Sequence, residues 1–398
     1  MHARKIVARI LGPCLAGLHA KRAQALMRAV SAQLSGGALS LSALALAMQA
    51  SIALRHRVKS MDRLLGNAGV QAVRAALYGS VAQRWLAGLT QVLLVVDWSD
   101  LTRDQKWQWL RASVVVEGRS VTLYEEVHAQ RRLGSRTVHR RFLKRVAQLL
   151  PRGCCPIVMT DAGFRSTWFH LVSEQGWQWI GRIRNRDHVA RDDGHWIGAT
   201  SLYARAREQA QDLGRWRYVR SHPTPCRLVL VKQVLKGRSR RTIYGQKMKA
   251  RASQKQARGA REPWLLAASP GLDHLEAATI VKLYAQRMRI EQSFRDTKNL
   301  RLGQGLETTR SRTAKRLEVL LLIAHLGAFV QRLIGEDAKT RQLALQFTST
   351  CRKTRPEISV LTLARRLLAT PTDWLNQLTP WAAIPPLRAQ AQHACAPQ

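Results

Sequence analysis

Two short apolar runs, QVLLVV at residues 91–96 and PIVMT at 156–160, each end on an acid, Asp97 and Asp161. Runs with no polar alternation read as strands buried on both faces, and such strands need helices over both sides of their sheet. That requirement takes the chain out of the all-α and all-β classes and makes it α/β. The intervening segments agree. Residues 113–116 and 120–127 flank Glu117-Gly118-Arg119 as an antiparallel hairpin. Residues 135–150 carry Val138, Phe142, Val146 and Leu149 at helical spacing before Pro151 and Gly153 end the helix. Residues 166–174 read as a helix and 177–183 as a further strand.

The order is therefore strand, hairpin, helix, strand, helix, strand, which is the order of a ribonuclease-H-like core with its acids at strand ends. Ahead of it, residues 1–70 read as helical, with 21–34 and 39–54 separated by Gly36-Gly37. After it, 185–270 reads as a β-rich insertion, with strands expected at 188–197, 216–219, 227–235 and 264–268. One helix is expected over 272–300 and a strongly apolar one over 311–334, and the tail from about 388 reads as frayed. The expected domains are a helical region (1–70), a core in two parts (71–184 and 271–305), the insertion (185–270) and a C-terminal helical region (306–398).

Charge narrows the partner. Lys and Arg number 65 against 25 acids, a formal charge of +40, in a chain whose 46% apolar content marks it as globular. A folded chain with this imbalance repels itself unless a polyanion offsets it, and nucleic acid is the expected one. Residues 236–261 alone hold ten Lys or Arg and no acid, a composition more typical of a solvated loop than of a binding site. No basic amphipathic helix stands out to suggest an anionic membrane. Residues 39–54 are too short to span a bilayer, and the apolar stretch 6–20 is broken by Arg9, Pro13 and His19, so neither an anchor nor a signal peptide is expected. Six scattered cysteines without a C-x-x-C pair read as reduced thiols in a cytoplasmic protein.

Taken as one helix, residues 284–298 place Tyr284, Arg287, Glu291 and Lys298 within an arc of about 60° and over about 21 Å. Leu283, Ile290 and Phe294 fall beside that stripe, so the helix buries one face and carries the polar line along its edge. An Asp after a strand is usually a turn former, and an Arg-Glu pair on a helix is usually a surface pair. Two strand-end acids with a helical Glu allow more. Three carboxylates repel one another unless cations intervene, and a pair of Mg²⁺ ions about 4 Å apart would offset that repulsion. Hard oxygen ligands without His or Cys select Mg²⁺ or Mn²⁺ over zinc.

Five blocks make the chain recognisable. The run Tyr284-x-x-Arg287-x-x-x-Glu291-x-x-x-x-x-x-Lys298 resembles the motif of the bacterial insertion-sequence transposases of the insertion-sequence-four group. Asp97-Trp98-Ser99 and Thr160-Asp161-Ala162-Gly163-Phe164-Arg165 are similar to that family's first and second catalytic strand ends. Glu262-Pro263-Trp264-Leu265-Leu266 resembles the last strand of its inserted β-domain, and Arg63-Leu64-Leu65-Gly66-Asn67 a run before its core. Order and spacing match over about residues 55 to 300.

The resemblance implies a cut-and-paste DNA transposase. Asp97, Asp161 and Glu291 would hold two divalent ions, nick DNA at the transposon end, and make a hairpin that reopens before insertion. Arg287 and Lys298 would hold phosphates, the first as a fork and the second as a point charge. Tyr284 would hydrogen-bond a phosphate near the cut, and Trp264 would stack on a flipped base, where a buried core Trp is the plainer alternative. The implied partners are double-stranded DNA, as terminal repeats and as target, and a second copy in a synaptic dimer, with the chain at the nucleoid in the cytoplasm. The competing readings are a ribonuclease-H-like nuclease without strand transfer, which has no need of the Tyr-Arg-Glu-Lys line, and a catalytically silent DNA-binding regulator, which has no need of all three acids.

Overall fold

The computed structural model describes residues 2–184, 187–191, 193–233, 262–347, 358–370 and 379–396, so the basic run at 236–261 and Cys351 lie outside the described residues. Among these residues the chain is mixed α/β, with ten strands and twelve helices. Two compact units are drawn from non-contiguous pieces: Met1–Ser135, Lys144–Cys154 and Met288–Ala394 make the first, and Arg136–Leu143, Cys155–Arg287 and Cys395–Gln398 the second.

In the first unit, β1 (Leu93–Asp100), β2 (Trp107–Val116) and β3 (Arg119–Ala129) form an antiparallel meander in the order β3-β2-β1. Glu117-Gly118 turns the hairpin, with Gly118 at φ +68°, a conformation glycine adopts without a Cβ penalty. The run containing Arg63-Leu64-Leu65-Gly66-Asn67 ends α4 (Leu54–Leu65) and starts α5 (Ala68–Leu86), with Asn67 Oδ1 accepting from Val70 N at 3.0 Å as its cap. Helix α5 extends the helical region past its expected end at residue 70. Before these come α1 (His2–Leu11), α2 (Ala20–Leu34) and α3 (Leu41–Ala47). The helix expected over 39–54 stops at Ala47, because Arg57 of α4 donates to the carbonyls of Leu46 and Met48 (3.4 and 3.0 Å) where the helix would have continued.

The same unit holds α9 (Met288–Lys298), α10 (Ala314–Thr340), α11 (Val360–Ala369) and α12 (Ile384–Cys395), the last residue of which falls in the second unit. Helix α10 packs against α1, α2, α4, α5, α11 and β3. It is long and apolar enough to cross a bilayer, yet 89% of its most apolar stretch is buried inside the fold, which makes it the core helix of the unit. Its His325 ring stacks on Tyr78 at 4.4 Å, and Nε2 has no hydrogen-bond partner among the described residues. Burial pushes the imidazole pKa down to about 3, with the Arg111 charge acting in the same direction. The tail expected to fray is helix α12: Leu387 and Ala391 are fully buried, and Arg388 donates to the carbonyls of Trp85 and Arg84 at the end of α5. Partners some 300 residues away hold this segment, a contact that local composition does not encode.

The second unit contains β4 (Ile157–Thr160) and β5 (Gln178–Ile183), which are parallel and joined through α7 (Ser166–Ser173). Antiparallel strands follow in the order β5-β10-β9-β8-β6-β7, with β6 (His188–Ala190), β7 (Trp196–Gly198), β8 (Gln211–Tyr218), β9 (Thr224–Val231) and β10 (Trp264–Ala268). The strand expected over 188–197 is thus a β6–β7 hairpin, and that expected over 216–219 begins earlier, at Gln211. Gly181 lets α7 approach β5, since a Cβ there would meet the Phe169 ring at 2.2 Å. Helix α6 (Arg136–Leu149) starts in this unit and ends in the first.

The single helix expected over 272–300 is two. Helix α8 (Ala277–Ala285) ends where Gln286 N and Arg287 N bond back three residues to Leu283 O and Tyr284 O, and α9 begins at Met288. The break falls where the chain passes from the second unit to the first.

Candidate active site

Asp97 sits within β1 and is 9% exposed. Its Oδ1 accepts from Trp98 N at 2.8 Å. Across the meander Asp97 faces Arg111, and Arg111 faces Glu125, so the three occupy one row on one face of the sheet. Glu125, fully buried, draws Arg111 into an ion pair at 2.7 Å and also accepts from Tyr78 Oη (2.7 Å) and Trp109 Nε1 (2.8 Å). The Arg111 guanidinium lies 4.0 Å over the Trp109 ring. A cation placed opposite Asp97 is therefore already neutralised from behind. Burial, reinforced by Glu125, raises the Tyr78 hydroxyl well above the usual range, so it remains a donor to that carboxylate.

Helix α9 packs on the meander through Ile290 and Phe294, the latter edge-on to Trp109 at 4.8 Å, and through Ser293, whose Oγ lies 2.9 Å from Ser120 Oγ. Glu291 is solvent-exposed in its first turn, where a carboxylate favours the helix dipole. Lys298 ends the helix, about 10.5 Å further along nearly the same line. Its Nζ donates to Ser99 Oγ at 2.7 Å and to Asp100 O. Burial lowers the Lys298 pKa, against the opposing effect of Asp100.

In the second unit Asp161 follows β4 directly. Its Oδ1 accepts from Gly163 N at 2.8 Å, and a Cβ on Gly163 would lie 3.0 Å from that oxygen. Phe164 is buried between His139 (5.3 Å, stacked) and Trp168 (4.7 Å), which pins the turn to α6 and α7. The Thr160-Asp161-Ala162-Gly163-Phe164-Arg165 block thus consists of a strand end, a carboxylate-closed turn and an aromatic anchor.

Trp264 opens β10 half-buried, and the Tyr284 ring of α8 packs edge-on against it at 5.2 Å. Tyr284 is only 3% exposed. Glu262, two residues before Trp264, pairs with Arg184 and lies 3.6 Å from Arg182, whose NH2 also donates to the Glu262 and Pro263 carbonyls. Burial and then the Arg184 charge lower the Arg182 pKa.

The first unit therefore brings the strand of Asp97 together with the helix of Glu291 and Lys298, and the second brings Trp264 together with Tyr284. Tyr284 lies on α8, Arg287 in the break and Glu291 and Lys298 on α9, so the continuous 60° stripe is replaced by two segments. Among the described residues no three His, Cys, Asp or Glu side chains form a metal-binding group. Of the five described cysteines, Cys14, Cys154 and Cys226 are buried. Sequence reasoning missed the Tyr78-Trp109-Arg111-Glu125 cluster and the Arg182-Arg184-Glu262 cluster. The available signal was a pair of acids, Glu125 and Glu126, in the middle of a strand expected to be part of the core.

The chain is thus a basic α/β protein with one acid inside a buried strand, a second just past another and a third on a helix. Residues 88–328 match the family described as the transposase DDE domain, and the chain belongs to that family. The substrate class is accordingly DNA, and all seven residues singled out above lie within the match. No curated protein matches the chain.

Proposed function

We propose that the chain is a cut-and-paste transposase of the insertion-sequence-four group, in which Asp97, Asp161 and Glu291 are the catalytic acids. The observation that carries this reading is Lys298. It ties the helix of Glu291 to the strand of Asp97 within the family-matched segment. A ribonuclease-H-like core is supported by the β1–β3 meander with its acid on β1 and by the β4-α7-β5 unit with its acid after β4.

The donor chemistry fits divalent Mg²⁺ or Mn²⁺, because the three groups are carboxylates with no imidazole or thiol among them. Held by Asp97, Asp161 and Glu291, two such ions would supply the Lewis acidity that activates water or a DNA 3′-OH and stabilises the leaving oxygen. Lys298 binds a phosphate as a point charge, and Arg287 as a fork. Trp264 stacks on an extruded base during hairpin formation, with Tyr284 fixing the Trp264 ring from the side and reaching a phosphate near the cut. The row Arg111-Glu125 keeps a cation behind Asp97 without competing for its carboxylate.

The domain assignment follows: helical DNA-binding region at 1–70, core at 71–184 and 271–305, insertion at 185–270, and a C-terminal region from 306 that serves dimerisation. A dimer would synapse two transposon ends at the nucleoid, in the cytoplasm.

The test is incubation of the full chain with duplexes carrying the element's own ends and Mg²⁺. Nicked and then hairpin-ended DNA, followed by joining to a target plasmid, is the expected product series. Cleavage without joining would indicate a nuclease, and binding without cleavage a regulator.

A further inference from the structure

The loop that follows Lys298 contains the most exposed apolar side chains found among the described residues near α9. Leu300 is 55% exposed and Leu302 is 70% exposed. Large apolar groups left singly on a surface are ordinary, but these two stand on a segment that the fold holds rigidly.

Its backbone is closed by hydrogen bonds at nearly every residue. Leu300 N donates to Glu307 Oε1 (2.9 Å), and Leu302 N to Asn299 Oδ1 (2.6 Å). Gln304 N donates to Asp296 O (2.8 Å) and Gly305 N to Asn299 O (2.9 Å). From α11, Arg365 NH1 donates to Leu302 O at 2.6 Å. Gly303 sits so close to the end of α9 that a Cβ would lie 2.2 Å from Asp296 O. Gly305, at φ +72°, carries Leu300 over it, with Leu300 Cδ1 3.1 Å from where its Cβ would be. Leu300 thus leans on the loop as a support, and Leu302 projects from it as the tip.

The surroundings are cationic. Residues 298–316 hold six Lys or Arg and one acid, and that acid, Glu307, is engaged by the loop's own backbone. Arg301, Arg310, Arg312 and Lys315 are exposed. A rigid apolar tip inside a cationic surface suits a DNA duplex: the cations hold phosphates, and the side chain enters between base pairs where the helix is opened. Leu302 follows Lys298 by four residues, a reach of at most about 14 Å, so tip and phosphate contact fall within a few nucleotides of one another.

We propose that Leu302, supported by Leu300, is a wedge that unstacks DNA beside the cleavage site. This rests on the transposase reading above and assigns to the loop after the helix of Glu291 an unstacking function beside the base-stacking role proposed for Trp264.

The test uses the full chain and an element-end duplex with 2-aminopurine at the steps flanking the cut, comparing wild type with Leu302→Ser and Leu300→Ala. Both side chains are exposed, so thermal stability should be unchanged. The expected result is that wild-type binding raises 2-aminopurine fluorescence, and Leu302→Ser lowers that rise about tenfold. Affinity read by anisotropy should stay within about threefold, since phosphate contacts supply most of it. Leu300→Ala should fall between. An undiminished rise in Leu302→Ser overturns the wedge, as does wild-type binding with no rise. A change in self-association with unstacking intact would also overturn it and assign the leucines to a copy of the chain. Absence of any DNA binding by wild type would sink the transposase reading itself.

Discussion

Lys298 Nζ donates to Ser99 Oγ at 2.7 Å, two residues beyond Asp97 on the same strand. The end of the helix that carries Glu291 is therefore fastened to the strand that carries Asp97. Lys298 is part-buried there, and burial lowers its pKa. Lys298→Met should reduce hairpin formation by about a hundredfold, the usual effect of losing one electrostatic contact to the transferring group. Binding of intact end DNA, measured in parallel by gel shift, should fall far less. Equal losses in both assays would mean that Lys298 acts only as a general DNA contact.

Gly163 sits against the carboxylate of Asp161. Gly163→Ala places a methyl 3.0 Å from Oδ1 and forces that carboxylate or the turn to move. The shift needed is a few tenths of an ångström, and since a misplacement of about 1 Å at a reacting group costs about a hundredfold, a loss of roughly threefold to tenfold is expected. Cleavage should drop while the melting temperature stays close to wild type, because the turn is exposed and its Phe164 anchor is untouched. A normal cleavage rate would show that the Asp161 geometry is not critical.

The Glu125 cluster predicts a stability effect of the opposite kind. Glu125→Ala leaves Arg111 buried and unpaired, with Tyr78 and Trp109 deprived of their acceptor. Removing one partner of such a pair typically costs about 3–5 kcal/mol. Urea unfolding should show that loss for Glu125→Ala. The double change Arg111→Met with Glu125→Leu, which removes both charges, should restore a large part of it. A double variant as unstable as the single one would place the cost in packing rather than in the orphaned charge.

His325 gives a pH signature. Its folded pKa is pushed down to about 3 from an ordinary 6.5, so the folded state prefers the neutral ring. The folded chain therefore binds fewer protons than the unfolded chain between these values. This contribution to stability is complete above pH 6.5 and is lost as pH falls toward about 3. His325→Phe keeps the stack on Tyr78 and should flatten the acid limb of the stability curve, read by circular dichroism. An unchanged limb would show that other groups govern acid unfolding.

Strands β1 and β4 were legible because each holds a continuous apolar run, but the expected end of the first at Asp97 was not: β1 continues to Asp100, with Asp97 paired to Arg111 inside the ladder, and only Asp161 stands just past its strand. Strand β10 was legible to the residue for the same reason, as was the apolar core of α10. The α8–α9 break was not. Leu283, Ile290 and Phe294 keep one apolar face across it, and three-residue backbone bonds at Gln286 and Arg287 leave no trace in composition. Helix α12 and the Glu125 cluster depend on partners far along the chain, Arg388 with Trp85 and Glu125 with Tyr78, and periodicity carries no record of them. For the candidate site, the motif pointed to the residues proposed, while the contacts of Lys298, Glu125 and Phe164 around them became visible only in three dimensions.

The most direct test of the central claim, that Asp97 is a metal-binding catalytic acid, is a metal-switch experiment. Asp97→Cys replaces a hard oxygen with a thiolate, which Mn²⁺ accepts better than Mg²⁺. Cleavage of end DNA by this variant should be lost in Mg²⁺ and partly regained in Mn²⁺, with DNA binding retained and wild type active in both. Full activity of Asp97→Cys in Mg²⁺ would contradict the account.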